Sequence, residues 1–413
     1  MATIPSIAMI PSGVKASKLY SVLPTDGTGD FTTTRASVAT RVNENGLIEE
    51  VAANVPRLDY SDGTCPSLLL EPTATNIITY SEDFSNVAWI KTGVSLTSGF
   101  VSPDGTTNAF KLVEDTSNSS HRVYKTGLSN GASASKEFTY SIFVKKSEVN
   151  WFLLKTVING QSVTVNVWFD LVNGVLGTQT NGTGKIESYG NDWYKCSINI
   201  TTDATATSLN TYGYLADGNN SENYVGDGTS GVYIFGAQLE ENSYATSYIP
   251  TQGTTQTRVA DTATGSGSST VINSTEGVLY AEISALSNAT SVRGISLSDG
   301  SSDNRVYIHF TSDTNIRTQV RVGGVNQVVI NSTQTLTNLN KIAFVFKQDD
   351  FALWINGVEV AIDTSGNTYS SNTLTVLSFD DGGGGNNFYG KVKSLQVYTT
   401  ALSDAELTSL TTI

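Results

Sequence analysis

The chain has 413 residues, and only 15% of them are charged, whereas 37 are glycine. At about 150 residues per domain, this length predicts two or three domains. The 38 acidic residues outnumber the 24 basic ones, which gives a net charge of −14. Because no cluster of Lys and Arg is present to neutralise phosphates, nucleic acid is excluded as a partner. No apolar run approaches the roughly 20 residues that cross a bilayer, so we expect no membrane insertion.

The N-terminal 72 residues contain six of the eight prolines. Proline fixes φ and cannot donate to a sheet, so we expect residues 1–72 to be an extended segment with a poor core of its own. The turn-forming residues 25–30 predict a hairpin within it, between residues 18–24 and 31–42. Such a segment is expected to gain its order from partner proteins or from neighbouring copies.

Residues 73–250 alternate between apolar and polar side chains, with Asn-Gly and Asp-Gly turns between the alternating runs. This pattern predicts a β-sandwich. Its clearest strands are expected at residues 136–144, 162–170, 193–200 and 232–239.

Residues 251–270 are rich in Thr, Gly and Ser and are interpreted as a linker. A second sandwich is predicted over residues 271–413, with strands at 277–283, 305–310, 341–346 and 351–355. Asn356-Gly357 predicts a hairpin turn, and the spacing of Ser403 and Glu406 predicts a short helix over 402–410. The predicted fold class is all-β, with an extended N-terminal segment followed by two antiparallel jelly-roll sandwiches.

No catalytic residues are predicted, since the two histidines, His121 and His309, lie beside no acidic or serine motif. Sugar binding instead uses aromatic faces together with amides and carboxylates in loops. We therefore predict a glycan site formed by the following loop residues: Tyr369, Asp380, Asp381, Asn386, Asn387, Phe388, Tyr389 and, in the first sandwich, Tyr224.

Several phrases of the sequence resemble bacteriophage head-spike and tail-fibre proteins. These are residues 57–60, 65–72, 76–84 with Trp89, 224–240 and 244–250. Residues 351–357, 390–398 and 401–407 are similar to the concanavalin A-like, or laminin G-like, jelly roll. The resemblance implies a protein of the virion surface, made in the cytoplasm of the host bacterium and assembled as a homo-oligomer, with a trimer favoured. It also implies that the N-terminal segment attaches to other virion proteins.

Jelly-roll binding modules often hold a structural calcium ion between their first and last strands. That resemblance makes Glu82, Asp83 and Glu240 candidate Ca²⁺ ligands, because carboxylate oxygens are what calcium prefers. The same acidic residues are equally suited to solvated turns. No other cofactor is predicted.

The predicted function is non-enzymatic binding of host-surface glycans by a virion fibre or spike. The first alternative is a structural or capsid-decorating fibre without a specific glycan ligand. A minor alternative is a polysaccharide depolymerase, which requires two suitably spaced carboxylates. Catalytic proteins of the concanavalin-like fold carry a Glu-x-Asp-x-x-Glu strand, and this sequence has no Glu-x-Asp.

Overall fold

The computed structural model describes residues 3–128, 135–288, 291–311 and 315–413. Within these ranges the regular secondary structure is β-strand apart from one short helix, α1 (Asp404–Thr411), which confirms the all-β prediction. In the described part of the chain no helix has the length and apolarity of a membrane span. The chain divides into a terminal unit (Met1–Val38, Val51–Pro72 and Val259–Ile413) and a central unit (Ala39–Glu50 and Thr73–Arg258).

The strands are numbered in chain order. They are β1 Ile7–Met9, β2 Val14–Lys15, β3 Lys18–Leu19, β4 Phe31–Thr34, β5 Ala39–Val42, β6 Ile48–Val51, β7 Arg57–Asp59, β8 Ser67–Leu70, β9 Ala74–Asn76, β10 Ile90–Thr92, β11 Val94–Phe100, β12 Ala109–Glu114, β13 Asn118–Ser119, β14 Arg122–Leu128, β15 Lys136–Lys146, β16 Trp151–Asn159, β17 Val163–Asp170, β18 Val175–Thr180, β19 Gly184–Tyr189, β20 Trp193–Thr202, β21 Ser208–Ala216, β22 Tyr224–Val225, β23 Gly231–Glu240, β24 Gln256–Arg258, β25 Thr262–Thr264, β26 Glu276–Ala285, β27 Arg293–Ser298, β28 Arg305–Phe310, β29 Asn315–Val322, β30 Val325–Thr333, β31 Asn340–Lys347, β32 Phe351–Ile355, β33 Val358–Asp363, β34 Val376–Ser378 and β35 Gly390–Tyr398.

The core of the central unit is built from two six-stranded sheets. Their strand orders are β10-β14-β21-β16-β17-β18 and β11-β12-β23-β15-β20-β19. Side chains at alternate positions of each strand join one buried cluster, for example Phe138 and Tyr140 of β15 with Phe152 of β16. The predicted strands at 136–144, 162–170, 193–200 and 232–239 correspond to β15, β17, β20 and β23.

The terminal unit is also a sandwich. One sheet has the order β33-β32-β31-β26-β35-β8-β7, with β1 also paired to β35, and the other has the order β30-β29-β28-β27-β34. Leu279, Ile308 and Phe344 belong to its buried core. The turn at Asn356-Gly357 joins β32 to β33 as predicted. The Glu406 carboxylate accepts hydrogen bonds from the backbone N–H and the hydroxyl of Ser403, which confirms the predicted helix start.

The structure corrects the prediction of a poorly packed N-terminal segment. Ile7 and Met9 of β1 are fully buried, and Ile7 pairs with Val397 of β35. Strands β7 and β8 continue the same sheet, so the first 72 residues supply strands to the sandwich that the C-terminal residues form. The predicted hairpin does form, with β3 paired to β4. The order of this segment comes from strands at the far end of the same chain, which local sequence patterns do not report.

The predicted linker over residues 251–270 is a second correction. Strand β24 pairs with β9, and β25 pairs with β4. Within this stretch Arg258 and Ala263 are almost completely buried, and Asp261 is only 5% exposed. Short strands here pass close to neighbouring backbone, which explains the small polar residues. These residues do not indicate a flexible connection.

Candidate functional site

A glycine-rich loop at residues 380–387 projects from the edge of the five-stranded sheet in the terminal unit. Phe379 before it and Phe388 after it both lie in the hydrophobic core, and the backbone N–H of Phe388 donates to the carbonyl of Phe379 at 2.9 Å. The loop is therefore closed at its base by two core residues. Its conformation is set by the residues between them.

Two neighbouring aspartates organise the loop. Asp380 accepts the backbone N–H of Gly382 at 2.7 Å, and Asp381 accepts those of Gly383 and Gly385, each at 3.0 Å. Gly382 has a φ of +90°, and a Cβ there would lie 2.6 Å from the Ser301 carbonyl oxygen. Glycine is required at this position because the loop lies directly against the backbone below it.

The loop covers part of the outer face of the sheet, which is the face opposite the core. Alternation in β28 places Arg305, Tyr307 and His309 on this face, because Val306, Ile308 and Phe310 point into the core. The rings of Tyr307 and His309 stack with centroids 4.3 Å apart. Arg305 lies over the Tyr307 ring, and its Nη1 donates to the Asp381 carbonyl at 2.8 Å. This arginine therefore joins the sheet face to the loop.

The buried polar atoms on this face that have no hydrogen-bond partner among the described residues include three on neighbouring side chains of β27 and β28. They are the Ser296 hydroxyl, the Tyr307 hydroxyl and Nδ1 of His309. Ser296 and Tyr307 lie opposite one another in the pairing of β27 with β28. Buried polar groups are almost always hydrogen-bonded. Each of these three unpartnered groups can therefore still form a hydrogen bond.

The titratable groups around these three atoms have pKa values shifted in different directions. Burial, together with the nearby Arg317 and Arg305, lowers the pKa of His309 to about 3, so its imidazole is neutral at pH 7. Burial also raises the pKa of Asp380. Burial opposes the ionisation of Asp381 as well, but hydrogen bonds from Asn386 and from the loop backbone lower its pKa overall. At neutral pH the face thus combines the arginine cations Arg305, Arg317 and Arg321 with a neutral histidine.

The structure divides the predicted glycan residues of the terminal unit into two groups. Tyr369 and Phe388 are 5% and 1% exposed and belong to the hydrophobic core, so the prediction that their rings meet a ligand is corrected. Neighbouring glycines and asparagines made these aromatic residues resemble loop residues, although both rings fold inward. Asn386 is exposed, and Asn387 and Tyr389 are half-buried, so these three remain at the surface of the loop.

Tyr224 lies in the central unit and is half-buried. Its hydroxyl donates to the Glu114 carboxylate, and its ring lies 4.7 Å from that of His121. Burial and the adjacent Glu114 carboxylate raise the pKa of Tyr224. These contacts give Tyr224 a structural explanation without a ligand.

The predicted calcium ligands are each held by other protein groups of the central unit. Glu240 is fully buried and accepts the N–H and the hydroxyl of Thr246 at 2.8 and 2.7 Å. Asp83 accepts backbone N–H groups in its own turn, and Glu82 accepts the Tyr248 hydroxyl at 3.2 Å. No group of three or more His, Cys, Asp or Glu side chains in the described residues comes together in a way that could hold a metal ion.

Sequence reasoning missed the contribution of Arg305, Tyr307 and Arg317, and it considered His309 only as a structural residue. The signal was present in the alternation of β28, which puts every second residue on one face. What the alternation could not reveal is that the loop 380–387 folds over that face.

A known protein family matches this part of the chain. Residues 279–408 match the model described as the concanavalin A-like lectin/glucanases superfamily (Laminin_G_3). We call this matched part of the chain the concanavalin A-like domain. It runs from within β26 to within α1, and the candidate face and loop lie inside it.

Solved structures with partial similarity include carbohydrate-binding proteins. The CBM40 of Ruminococcus gnavus IT-sialidase, bound to α2,3-sialyllactose, is 19% identical over 36% of this chain and 87% of its own, with a TM-score of 0.31. Domain 4 of AbnA, a GH43 arabinanase from Geobacillus stearothermophilus in complex with arabinotriose, is 15% identical over 41% and 84%, with a TM-score of 0.30.

The heptameric SAP-like pentraxin of Limulus polyphemus is 16% identical over 33% of this chain and 70% of its own, with a TM-score of 0.27. A comparison with the curated proteins gave no match. Because the identities are below 20% and the TM-scores are low, these similarities say nothing about the ligand of this chain.

Proposed function

We propose that this protein binds glycans without cleaving them, through the outer face of its concanavalin A-like domain and the loop 380–387. The observation that carries the proposal is the group of unpartnered polar atoms on Ser296, Tyr307 and His309, inside a domain that matches a family of lectins and glucanases. Sugar hydroxyls both donate and accept hydrogen bonds, so they complement hydroxyl and imidazole groups of this kind.

The exposed rim of the site would make the first contacts with a glycan. Arg317 is partly exposed beside His309, and Asn386 is exposed on the loop. A sugar that displaces the glycine-rich loop would then reach the buried atoms below. Four consecutive glycines, at residues 382–385, make such a displacement easier because their backbone has many accessible conformations.

The absence of cleavage is part of the proposal, and the chemistry of the loop supports it. Glycoside hydrolysis needs one carboxyl group to act as an acid and another to act as a base or nucleophile. Asp381 is occupied by three hydrogen bonds inside the loop, and the Asp380 side chain is buried beneath it. Neither is presented to a substrate as a free carboxylate.

We further propose that the protein acts on the surface of a bacteriophage virion as a fibre or spike, with a trimer favoured. This part rests on the resemblance of the sequence to head-spike and tail-fibre proteins. Single shallow lectin sites bind weakly, with a Kd on the order of millimolar. Several copies on one particle would raise the avidity by roughly 10² to 10⁴ when their spacing lets them engage together.

The test measures binding of the purified full-length protein to a glycan array and to bacterial cells. Arg317→Gln should weaken binding to the array several-fold, because it removes an exposed cation from the rim. Lys347→Gln removes one charge from an exposed position on the other sheet of the same unit and should leave binding unchanged. If the protein binds neither glycans nor cells, the decorating-fibre alternative replaces the proposal, and release of reducing sugar from bound polysaccharide would replace it with a depolymerase.

A further inference from the structure

The central unit has an aromatic surface on the outer side of its sheet β10-β14-β21-β16-β17-β18. In β16, Phe152 and Leu154 point into the core, so Trp151, Leu153 and Lys155 point outward. The same alternation in the neighbouring strands brings further side chains to this side. We call the resulting surface the aromatic face. Its partly exposed members, which a ligand can reach, are Arg122, Tyr124, Trp151, Lys155, Asn166 and Tyr212. They pack on a buried layer formed by Leu153, Trp168 and Tyr214.

Strand register arranges the aromatic face in rows across the sheet. In one row Tyr124 lies opposite Tyr212, and Tyr212 lies opposite Lys155. In the next row Arg122 lies opposite Tyr214. Because neighbouring strands are about 4.8 Å apart, a row crossing the four strands β14, β21, β16 and β17 is about 14 Å long, which is enough for more than one sugar ring.

Three tyrosine rings surround Arg122, which lies on β14 at one end of the aromatic face. Its guanidinium carbon lies 5.2, 5.6 and 5.4 Å from the ring centroids of Tyr124, Tyr212 and Tyr214, and its Nη1 donates to the Tyr214 hydroxyl at 2.8 Å. Burial raises the pKa of Tyr214 to about 12, so this hydroxyl stays protonated at neutral pH. The rings hold the guanidinium in place without neutralising its charge.

The two cations of the aromatic face differ in their partners. Lys155 forms an ion pair with Glu222 at 2.7 Å. Arg122 has no carboxylate partner within the described ranges, and its buried Nε has no hydrogen-bond acceptor there. The Oδ1 of Asn166, in the same row as Lys155, is likewise buried and unpartnered. A protein with a net charge of −14 therefore keeps one arginine of this face without a counter-ion.

The two tryptophans of the aromatic face are held by specific contacts. The indole N–H of Trp168 donates to the Ser221 carbonyl at 2.9 Å, in the segment that also carries Glu222. Trp151 packs over Gly177, where an added Cβ would lie 2.7 Å from the indole ring. The aromatic side chains are thus held in place before any ligand arrives, which lowers the entropic cost of binding.

We propose that the aromatic face is a second carbohydrate site, which binds a glycan carrying an isolated carboxylate group through Arg122. Aromatic rings pack against the C–H faces of sugars, and a guanidinium forms charge-assisted hydrogen bonds with a carboxylate. The net negative charge of the protein repels densely charged polyanions, so one carboxylate on an otherwise neutral glycan fits best. This site lies in a different unit from the site of the proposed function and does not depend on it.

The experiment uses full-length protein on a glycan array that holds oligosaccharides ending in a uronic acid, others ending in a sialic acid, and the neutral counterparts of both. We expect binding to at least one acidic group of glycans and weaker binding to the matching neutral ones. Arg122→Gln should reduce acidic-glycan binding about tenfold or more, and Arg122→Lys should reduce it less. Arg41→Gln, which changes an arginine of the same unit that is paired with Glu49, is the matched control and should bind normally.

Two results would overturn the inference: binding that does not distinguish acidic from neutral glycans, or acidic-glycan binding that Arg122→Gln leaves intact. Absence of any acidic-glycan binding overturns it as well. Thermal unfolding of each variant checks that the sheet is intact, and Arg122→Lys keeps the test valid if Arg122→Gln unfolds. Arg317→Gln separates the two sites, because it should weaken binding at the concanavalin A-like domain and leave acidic-glycan binding unchanged.

Discussion

Arg57 and Asp261 are 204 residues apart in the sequence and form an ion pair in the buried interior of the terminal unit. Arg57 is fully buried, and its second carboxylate partner is Glu71 at 2.6 Å. Asp261 also accepts Nη1 of Arg35 at 2.9 Å. Burial alone would lower the pKa of Arg57, but the two carboxylates raise it above its ordinary value. One aspartate in the stretch predicted as a linker thus holds two arginines from the N-terminal segment.

The first prediction concerns this ion-pair network. Asp261→Asn leaves the buried Arg57 and Arg35 short of a negative partner, so we expect a loss of about 3–5 kcal/mol in the free energy of unfolding. Urea titration measures the loss. Asp62→Asn is the control, since Asp62 is largely exposed and should change stability by less than about 1 kcal/mol. Equal effects of the two substitutions would contradict the role of the network.

The second prediction tests the packing of the N-terminal strand. Ile7 is fully buried against the core, whereas Ile10 is 46% exposed just beyond β1. Ile7→Ala should cost about 2–5 kcal/mol of unfolding free energy, because it leaves a cavity, and Ile10→Ala should cost much less. Thermal unfolding compares the two variants. If both are as stable as the unaltered protein, β1 contributes nothing to the core.

The third prediction concerns the Asn159-Gly160 turn of the central unit. Gly160 has a φ of +86°, and a Cβ there would lie 2.2 Å from the Thr205 carbonyl oxygen. Because both the conformation and the space exclude a side chain, Gly160→Ala should lower the melting temperature by several degrees. At Gly218 an added Cβ meets no atom within 4 Å, so Gly218→Ala is the matched control. An unchanged melting temperature for Gly160→Ala would contradict the described turn.

The fourth prediction is a pH dependence that comes from His309. Its pKa is about 3 in the folded protein, because of burial and the nearby Arg317 and Arg305, against an ordinary value of 6.5. Between these pH values the unfolded chain binds a proton that the folded chain does not. Stability is therefore lost as the pH falls below about 6.5, by up to about 1.4 kcal/mol per pH unit.

His309→Gln removes this proton linkage. Urea unfolding at pH 7, 6, 5 and 4 should show a shallower loss of stability in the variant than in the unaltered protein. The comparison uses the slope with pH, so a constant stability difference caused by the substitution does not affect it. If the unfolding free energies of the variant and the unaltered protein change with pH in parallel, the prediction is wrong and His309 is accessible to protons in the folded state.

Much of the fold was predictable from local patterns. Alternation located strands such as β15 and β28, the Asn356-Gly357 pair located a hairpin turn, and the Ser403 to Glu406 spacing located the helix start. Each of these signals involves residues within about ten positions of one another, where backbone geometry fixes which side chains share a face.

The candidate sites were less predictable. Loop composition correctly placed Asn386 at the surface, yet the same reasoning misplaced Tyr369 and Phe388, whose rings are buried. An aromatic residue beside glycines satisfies a loop pattern whether its ring points outward or inward. The unpartnered atoms of Ser296 and Tyr307 become visible only when β27 lies beside β28.

Local sequence patterns are sufficient to locate many of the strands and turns and to assign the all-β class, because these depend on alternation and on residues that favour tight turns. The pairing of the strands and the covering of their faces depend instead on contacts between distant parts of the chain. The pairing of Ile7 with Val397 and the ion pair of Arg57 with Asp261 join distant parts of the chain. Contacts of this kind are set by the complementarity of surfaces that form only on folding, and no local pattern encodes them.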